Sequence, residues 1–155
     1  MVGKKELVDT LAQHPLARAV RIDKLSLAGL TATLAHYLKG EAEKEIPVWR
    51  MISATESALK KRAKLWQSVL ESPSTVEKSR SAVGGGSLPG ETLPSWVLSL
   101  DCQNTSAEGV MRRLRENSTP VVARIDENRV LLDPRTVLPE EDGSLLDAVR
   151  SAVSI

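Results

Sequence analysis

The feature that most constrains the fold is a change in hydrophobic period at Pro73. Before it, apolar residues recur every three or four positions, as between Leu27 and Leu38, which is typical of helices. After it, short apolar runs alternate with glycine, proline and asparagine, which is typical of strands joined by turns. The pattern therefore predicts a helical arm over residues 1–72 and a compact domain over residues 73–155.

The longest uncharged stretch of the sequence runs from Leu25 to Leu38. Asp23 is placed to cap its helix, and Gly40 is placed to end it. Because no face of this helix is charged, we expect it to be covered on several sides, by its own domain or by a partner. A further amphipathic helix is predicted from the capping-box pattern at Ser53 up to Pro73.

Beyond Pro73 the predicted elements follow the order strand, strand, helix, strand, strand, helix. The four strands span residues 75–83, 95–100, 121–125 and 129–133. The first helix begins at a capping box over residues 105–108 and ends before Asn117, and the second spans residues 144–153. A loop rich in glycine, proline and serine joins the first two strands, and an Asp-Glu-Asn turn joins the last two. This order predicts an α+β fold in which a small, largely antiparallel sheet carries helices on one face.

Composition excludes several classes of function. Twenty-one basic and 20 acidic residues leave a net charge of +1, so affinity for nucleic acid requires a local patch. The single cysteine, Cys102, excludes an internal disulfide and a cysteine-based zinc site, and it favours a reducing cytoplasm. No stretch of the sequence has the length and apolar character of a signal peptide or a membrane span.

Two segments are candidates for binding an anion. Arg18 and Arg21 lie three residues apart, so both guanidiniums can form a clamp for a phosphate, or one can pair locally with Asp23. The run from Gly84 to Ser87 resembles a phosphate-binding loop. The prolines that follow it favour continued loop over the helix that such a site needs, so a plain connection is the stronger interpretation.

Three other patterns favour structure over chemistry. Ser57 and Lys60 have the Ser-x-x-Lys spacing of acyl-serine enzymes, but the partner motifs of those enzymes are absent from the sequence. The two histidines have no cysteine or carboxylate at the spacing of metal ligands. A basic cluster on one predicted helix fits a solvated face better than an RNA contact; it comprises Arg112, Arg113 and Arg115.

Several blocks of the sequence, in the same order, resemble selenocysteine synthases, the L-seryl-tRNA(Sec) selenium transferases. The first covers Val2 to Leu7, and the second, which covers Pro15 to Lys24, reads Pro-Leu-x-Arg-Ala-x-Arg-x-Asp-Lys. The others are Ile46 to Met51, Val83 to Trp96, Pro120 to Ile125 and Leu131 to Glu141. The resemblance covers nearly the whole chain, and several ordered blocks are more specific than any one of them.

The resemblance implies a fold related to fold-type-I enzymes that use pyridoxal phosphate (PLP). Residues 1–72 would be the end of the large PLP domain with its connector, and residues 73–155 the C-terminal small domain. The family holds PLP on a lysine in a Ser-Gly-Asp-Lys-type loop, and this sequence has no such loop. We therefore expect that the chain binds no PLP covalently and is inactive alone.

By the same resemblance, the full enzyme converts seryl-tRNA(Sec) to selenocysteinyl-tRNA(Sec), with selenophosphate as the selenium donor. Arg18 and Arg21 would bind the anionic donor, and Gly84, Gly85, Gly86 and Ser87 would form a loop on the active-site side. A cytoplasmic homo-oligomer is implied as well.

Two alternatives stay open at this point. One is a PLP enzyme of the same superfamily that acts on a small amino acid. The other is a non-catalytic binding or oligomerisation module, because the uncharged helix from Leu25 to Leu38 suits self-association.

Overall fold

The structure is a computed structural model that describes residues 3–84, 90–102 and 105–153. The chain forms two compact units, Met1–Ile46 and Pro47–Ile155. We call them the N-terminal unit and the C-terminal unit and describe each by itself.

The N-terminal unit is helical, as predicted. It contains α1 (Lys5–Gln13), a 3₁₀ turn (Pro15–Ala17), α2 (Lys24–Leu38) and α3 (Ala42–Glu45). The predicted cap of α2 is confirmed, because the Asp23 carboxylate accepts hydrogen bonds from the backbone of Leu25 and Ser26. Gly40, with φ of 69°, follows the end of α2 in the left-handed conformation that favours glycine.

The described residues of the N-terminal unit include no buried side chain. On α2, Leu25 is 85% exposed and Leu38 is 91% exposed, while Leu27, Leu30 and Leu34 are about half exposed. An apolar helix of this kind is normally buried in a larger core. The described part of this unit therefore has no apolar core of its own.

The C-terminal unit alternates helices and strands in the predicted order. Its helices are α4 (Pro47–Ser53), α5 (Glu56–Val69), α6 (Ala107–Glu116) and α7 (Asp142–Val153). Its strands are β1 (Ser74–Ala82), β2 (Thr92–Leu100), β3 (Arg124–Asp126) and β4 (Arg129–Leu132). The sheet order is β1-β2-β4-β3 with antiparallel pairing throughout, which confirms the predicted α+β class.

The core of this unit lies between one face of the sheet and the helices. Leu98 pairs with Leu132 and Leu100 with Val130, so these four side chains share a face. They join Trp66 of α5 and the apolar residues of α6 and α7 in one cluster of buried side chains. Alternation along the strands therefore places the helices over one face, as the sequence predicts.

Two details of the predicted elements are wrong. The long helix begins at Glu56 with Thr55 as its cap, because residues 47–53 form the separate helix α4 that ends at Ser53. The strand predicted over residues 121–125 is shorter and lies later in the chain, because only Arg124–Asp126 pair as β3. Glu127 and Asn128 then form a tight turn with φ of 47° and 60°.

The compact units divide after residue 46, because α5 packs on β1 and β2 and so belongs with the sheet. The assignment of residues 1–72 to the end of a large domain concerns a longer enzyme and stays a prediction.

Candidate functional site

The two candidate arginines lie in the connection between α1 and α2. Arg18 follows the 3₁₀ turn Pro15–Ala17, and Arg21 lies shortly before α2. Both side chains are exposed, and neither forms an ion pair with any described residue. Both guanidiniums therefore have donors available for an anion.

Asp23 does not provide the local ion pair that the sequence left open. Its carboxylate accepts from the backbone N–H of Leu25 at 2.9 Å and of Ser26 at 3.0 Å. The Ser26 hydroxyl donates to it at 2.6 Å. The Ser26 hydroxyl bond, followed by these backbone bonds, lowers the pKa of Asp23 below its ordinary value. The carboxylate is thus committed to capping α2.

The second candidate segment begins at Gly84, in the loop that connects β1 to β2. Gly84 has φ of 150°, a conformation that favours glycine. Gly85, Gly86 and Ser87 lie outside the described residues. Across the loop, Val83 donates a backbone hydrogen bond to Glu91 at 3.2 Å, so the two ends of the loop are held together.

A cluster that the sequence analysis missed joins two buried serines of the β1–β2 hairpin to the segment after β4. The Asp133 carboxylate accepts from the Ser95 hydroxyl at 2.8 Å and from the Ser81 hydroxyl. It also accepts from the Arg135 backbone N–H at 3.0 Å. Because β4 ends at Leu132, these side-chain bonds extend the link between the hairpin and the chain beyond the β2–β4 pairing.

Two further arginines bind backbone carbonyls within the C-terminal unit. Arg135, only 7% exposed, donates to the carbonyls of Met51 at 2.7 Å, Ala54 at 3.1 Å and Pro94 at 2.6 Å. Its Nη1 atom also lies 3.2 Å from the Ile52 carbonyl. All of these contacts are internal, so Arg135 acts as a structural clamp.

Arg62 has a similar role on α5. It donates to the carbonyls of Pro134 at 2.7 Å, Val137 at 2.8 Å and Leu138 at 2.9 Å, and it pairs with Asp142. A sequence signal was present, because Arg62 falls on the same helical stripe as the buried residues of α5. Those residues are Leu59, Ala63 and Trp66.

The remaining candidates have structural surroundings. His36 bonds to Glu41 at 2.9 Å, and the described residues contain no group of three potential metal ligands among histidine, cysteine and carboxylate side chains. Burial raises the pKa of the Cys102 thiol. Within the described ranges, no helix is both long enough and apolar enough to cross a bilayer.

The fold of the chain is similar to that of a known enzyme. Its arrangement matches a solved structure of D-glucosaminate-6-phosphate ammonia-lyase with a TM-score of 0.57 and 19% identity. The match covers 98% of this chain and 38% of that chain. At this identity the likeness concerns the fold alone.

The sequence comparison is more specific. The profile of the L-seryl-tRNA selenium transferase (SelA) family matches residues 1–138. The L-seryl-tRNA(Sec) selenium transferase of Moorella thermoacetica is 42% identical over 160 residues, which cover 99% of this chain and 34% of the relative. The corresponding protein of Aquifex aeolicus is 38% identical over 159 residues, which cover 100% of this chain and 35% of the relative. This chain therefore belongs to the L-seryl-tRNA selenium transferase family, and it spans about a third of the length of these relatives.

Proposed function

We propose that this chain is the C-terminal part of a PLP-dependent selenium transferase that converts seryl-tRNA(Sec) to selenocysteinyl-tRNA(Sec) with selenophosphate. The observation that carries the proposal is the family match over residues 1–138. The matched range includes Arg18 and Arg21, whose guanidiniums are exposed and unpaired among the described residues.

In this proposal Arg18 and Arg21 hold the negative charge of the selenium donor. Each charge-assisted hydrogen bond to a phosphate oxygen contributes roughly 1.5–3 kcal/mol. The unpaired state of both side chains fits such an anion, because no internal carboxylate has to be displaced. PLP supplies an electron sink when it is bound, and the protein positions the reacting groups around it. The loop from Gly84 to Ser87 is proposed, on the family resemblance alone, as an active-site loop of the full enzyme.

The part of the family sequence that this chain does not span would carry the lysine that holds PLP. In that enzyme, residues 1–72 would complete the large domain, and residues 73–155 would form the small domain. The exposed leucines of α2, between Leu25 and Leu38, support this arrangement, since the remainder of a large domain would bury them. A cytoplasmic homo-oligomer that acts on the serine of an aminoacyl-tRNA completes the proposal.

A chimera tests this function. This chain would replace the matching third of the Moorella thermoacetica relative, and transfer of labelled selenium from selenophosphate to seryl-tRNA(Sec) would be measured. We expect transfer to seryl-tRNA(Sec) and none to free serine. An inactive chimera that is folded and binds PLP, or one that prefers free serine, would contradict the proposal.

The arginine role has its own matched control. Arg18→Gln with Arg21→Gln is expected to raise the KM for selenophosphate at least about tenfold, as loss of charge-assisted bonds to one anion predicts. Arg112→Gln with Arg115→Gln removes two exposed arginines of the C-terminal unit and should leave this KM unchanged. Equal KM values for the Arg18/Arg21 variant and the control would show that neither arginine binds the selenium donor.

The cofactor assignment predicts a negative result for the chain alone. After incubation with PLP and reduction with borohydride, mass spectrometry should find no pyridoxyl group on any of its lysines. A stoichiometric adduct on one lysine would show that the cofactor site lies within this chain.

A further inference from the structure

Two lysines of the C-terminal unit lie over the same tryptophan ring. The Nζ atom of Lys60, on α5, lies 4.0 Å from the centroid of Trp96, and that of Lys78, on β1, lies 5.9 Å from it. Lys78 is the cross-strand partner of Trp96, and Arg80 follows two residues later on the same face of β1. We call Lys60, Lys78, Arg80 and Trp96 the Trp96 patch.

In the part of the chain that the structure describes, the cations of the Trp96 patch are not directly paired with carboxylates, although Glu56 lines a cleft beside them. Within the described ranges, Lys60, Lys78 and Arg80 form no ion pair. Glu56 lies one helical turn before Lys60, yet the Lys60 ammonium lies over the ring and makes no ion pair with it. Cation–π contacts at exposed sites are weak, and two ammoniums near one ring repel each other. An anion with several charges would relieve that repulsion.

The patch continues along β1 towards the loop that connects it to β2. A cleft of about 390 Å³ is lined by Glu56, Lys78, Ser79, Arg80, Pro94 and Ser95. The Arg80 guanidinium is fixed by the Thr92 side chain at 2.6 Å and by the Thr92 carbonyl at 3.0 Å. From Arg80, the strand leads to Gly84, where the loop proposed for the active-site side begins.

We propose that the Trp96 patch binds backbone phosphates of the tRNA acceptor arm, close to its aminoacylated end. The inference rests on the proposed function, in which the serine at that end must reach the active site. The phosphates next to it then pass over neighbouring protein surface, and fixed cations along a strand provide contacts for them. The chain has a net charge of only +1, so such contacts require a local cluster of this kind.

The geometry also defines the mode of binding. Lys60 and Lys78 occupy positions over the Trp96 ring, so the ring holds the cations in place and is not a platform for stacked bases. The patch therefore contributes affinity that depends on salt and does not depend on base sequence.

Binding of a labelled tRNA(Sec) transcript to the 155-residue chain tests the inference without cofactor or catalysis. The test variant is Lys60→Gln with Lys78→Gln. The control is Lys44→Gln with Lys61→Gln, which removes two exposed lysines outside the patch and changes the net charge equally. We expect the test variant to raise the Kd about tenfold at low salt and to reduce the slope of log Kd against log salt concentration by about two, one for each lost phosphate contact. The control variant should bind as the unmodified chain does.

Equal Kd values for the two double variants, or no binding by the unmodified chain at low salt, would overturn the inference. Far-UV circular dichroism and urea denaturation of both variants check that folding is unchanged. The chimera separates this inference from the proposed function. An inactive chimera with patch-dependent RNA binding contradicts only the proposed reaction, whereas an active chimera whose KM for seryl-tRNA(Sec) does not respond to Lys60→Gln with Lys78→Gln contradicts only the patch.

Discussion

Helices α2 and α5 are nearly equal in length but differ in what they bury. Helix α2 has 15 residues with no charge after Lys24, and none of its side chains is buried. Helix α5 has 14 residues, four of them basic, and it buries Leu59, Ala63 and Trp66. Whether a helix packs into a core within this chain therefore depends on how its apolar residues are arranged, and it does not depend on how many there are.

The physical reason is the distribution of apolar residues around each helix. On α5 they form one stripe that matches one face of a sheet, and the lysines fall elsewhere. On α2 they occur on all sides, which suits a helix surrounded by other elements. The C-terminal unit supplies such surroundings to its own helices, and the described part of the N-terminal unit does not.

Separating the two units should give the largest effect. We expect residues 47–155 alone to unfold in one cooperative transition in urea, monitored by the fluorescence of its tryptophans. Residues 1–46 alone should show little helix by far-UV circular dichroism, because isolated helices of this length are marginal in water. Cooperative unfolding of residues 1–46, or the absence of a cooperative transition in residues 47–155, would contradict the difference between the two units.

Single substitutions on α5 and α2 test the same difference in burial between the two helices. Trp66 is completely buried in the core cluster, so Trp66→Ala should reduce the free energy of unfolding by about 3–5 kcal/mol. Leu30→Ala on α2 is the matched change at a half-exposed site and should alter it by no more than about 0.5 kcal/mol. Urea denaturation of both variants measures the difference, and similar losses would show that α2 is packed in a core.

Arg135→Met tests the clamp that connects α4 and β2 to the segment after β4. The variant leaves the carbonyls of Met51, Ala54 and Pro94 without their buried donor, so we expect a loss of about 2–4 kcal/mol in the free energy of unfolding. Arg112→Met, at an exposed site on α6, should change it by no more than about 0.5 kcal/mol. A clamp variant as stable as the control would mean that water replaces the arginine without cost.

The smallest predicted effect concerns the start of α2. Because hydrogen bonds lower the pKa of Asp23 in the folded chain, its contribution to the helix is present above its ordinary pKa of 3.8 and is lost as the pH falls through the lowered value. Amide exchange of Leu25 and Ser26 should therefore accelerate at acidic pH, after correction for the intrinsic pH dependence of exchange. In Asp23→Asn, which keeps an acceptor that does not titrate, this corrected acceleration should be absent.

Local patterns were sufficient to predict most of the elements. The Asp23 cap, the order of strands and helices after Pro73 and the final helix are confirmed, because each depends on neighbouring residues and on simple periodicity. The split between α4 and α5 was missed, because two capping residues, Ser53 and Thr55, lie close together and only tertiary packing selects the second.

The internal contacts of the C-terminal unit were beyond sequence reasoning. Arg135 reaches carbonyls more than 40 residues away in the chain, and Asp133 binds serines on two different strands. Backbone carbonyls leave no signature in a sequence, so nothing identifies them as partners of an arginine. The roles of Arg18, Arg21 and the loop from Gly84 to Ser87 stay predictions that depend on the family resemblance.

The proposed function predicts that the C-terminal unit folds alone, whereas α2 needs the part of the family sequence outside this chain to bury it. Hydrogen exchange tests it directly, on this chain alone and within the chimera with the Moorella thermoacetica relative. We expect slow exchange for the amides of β2 in both proteins, and slow exchange for the amides of α2 only in the chimera. Slow exchange of α2 in the chain alone, or fast exchange in the folded chimera, would contradict it.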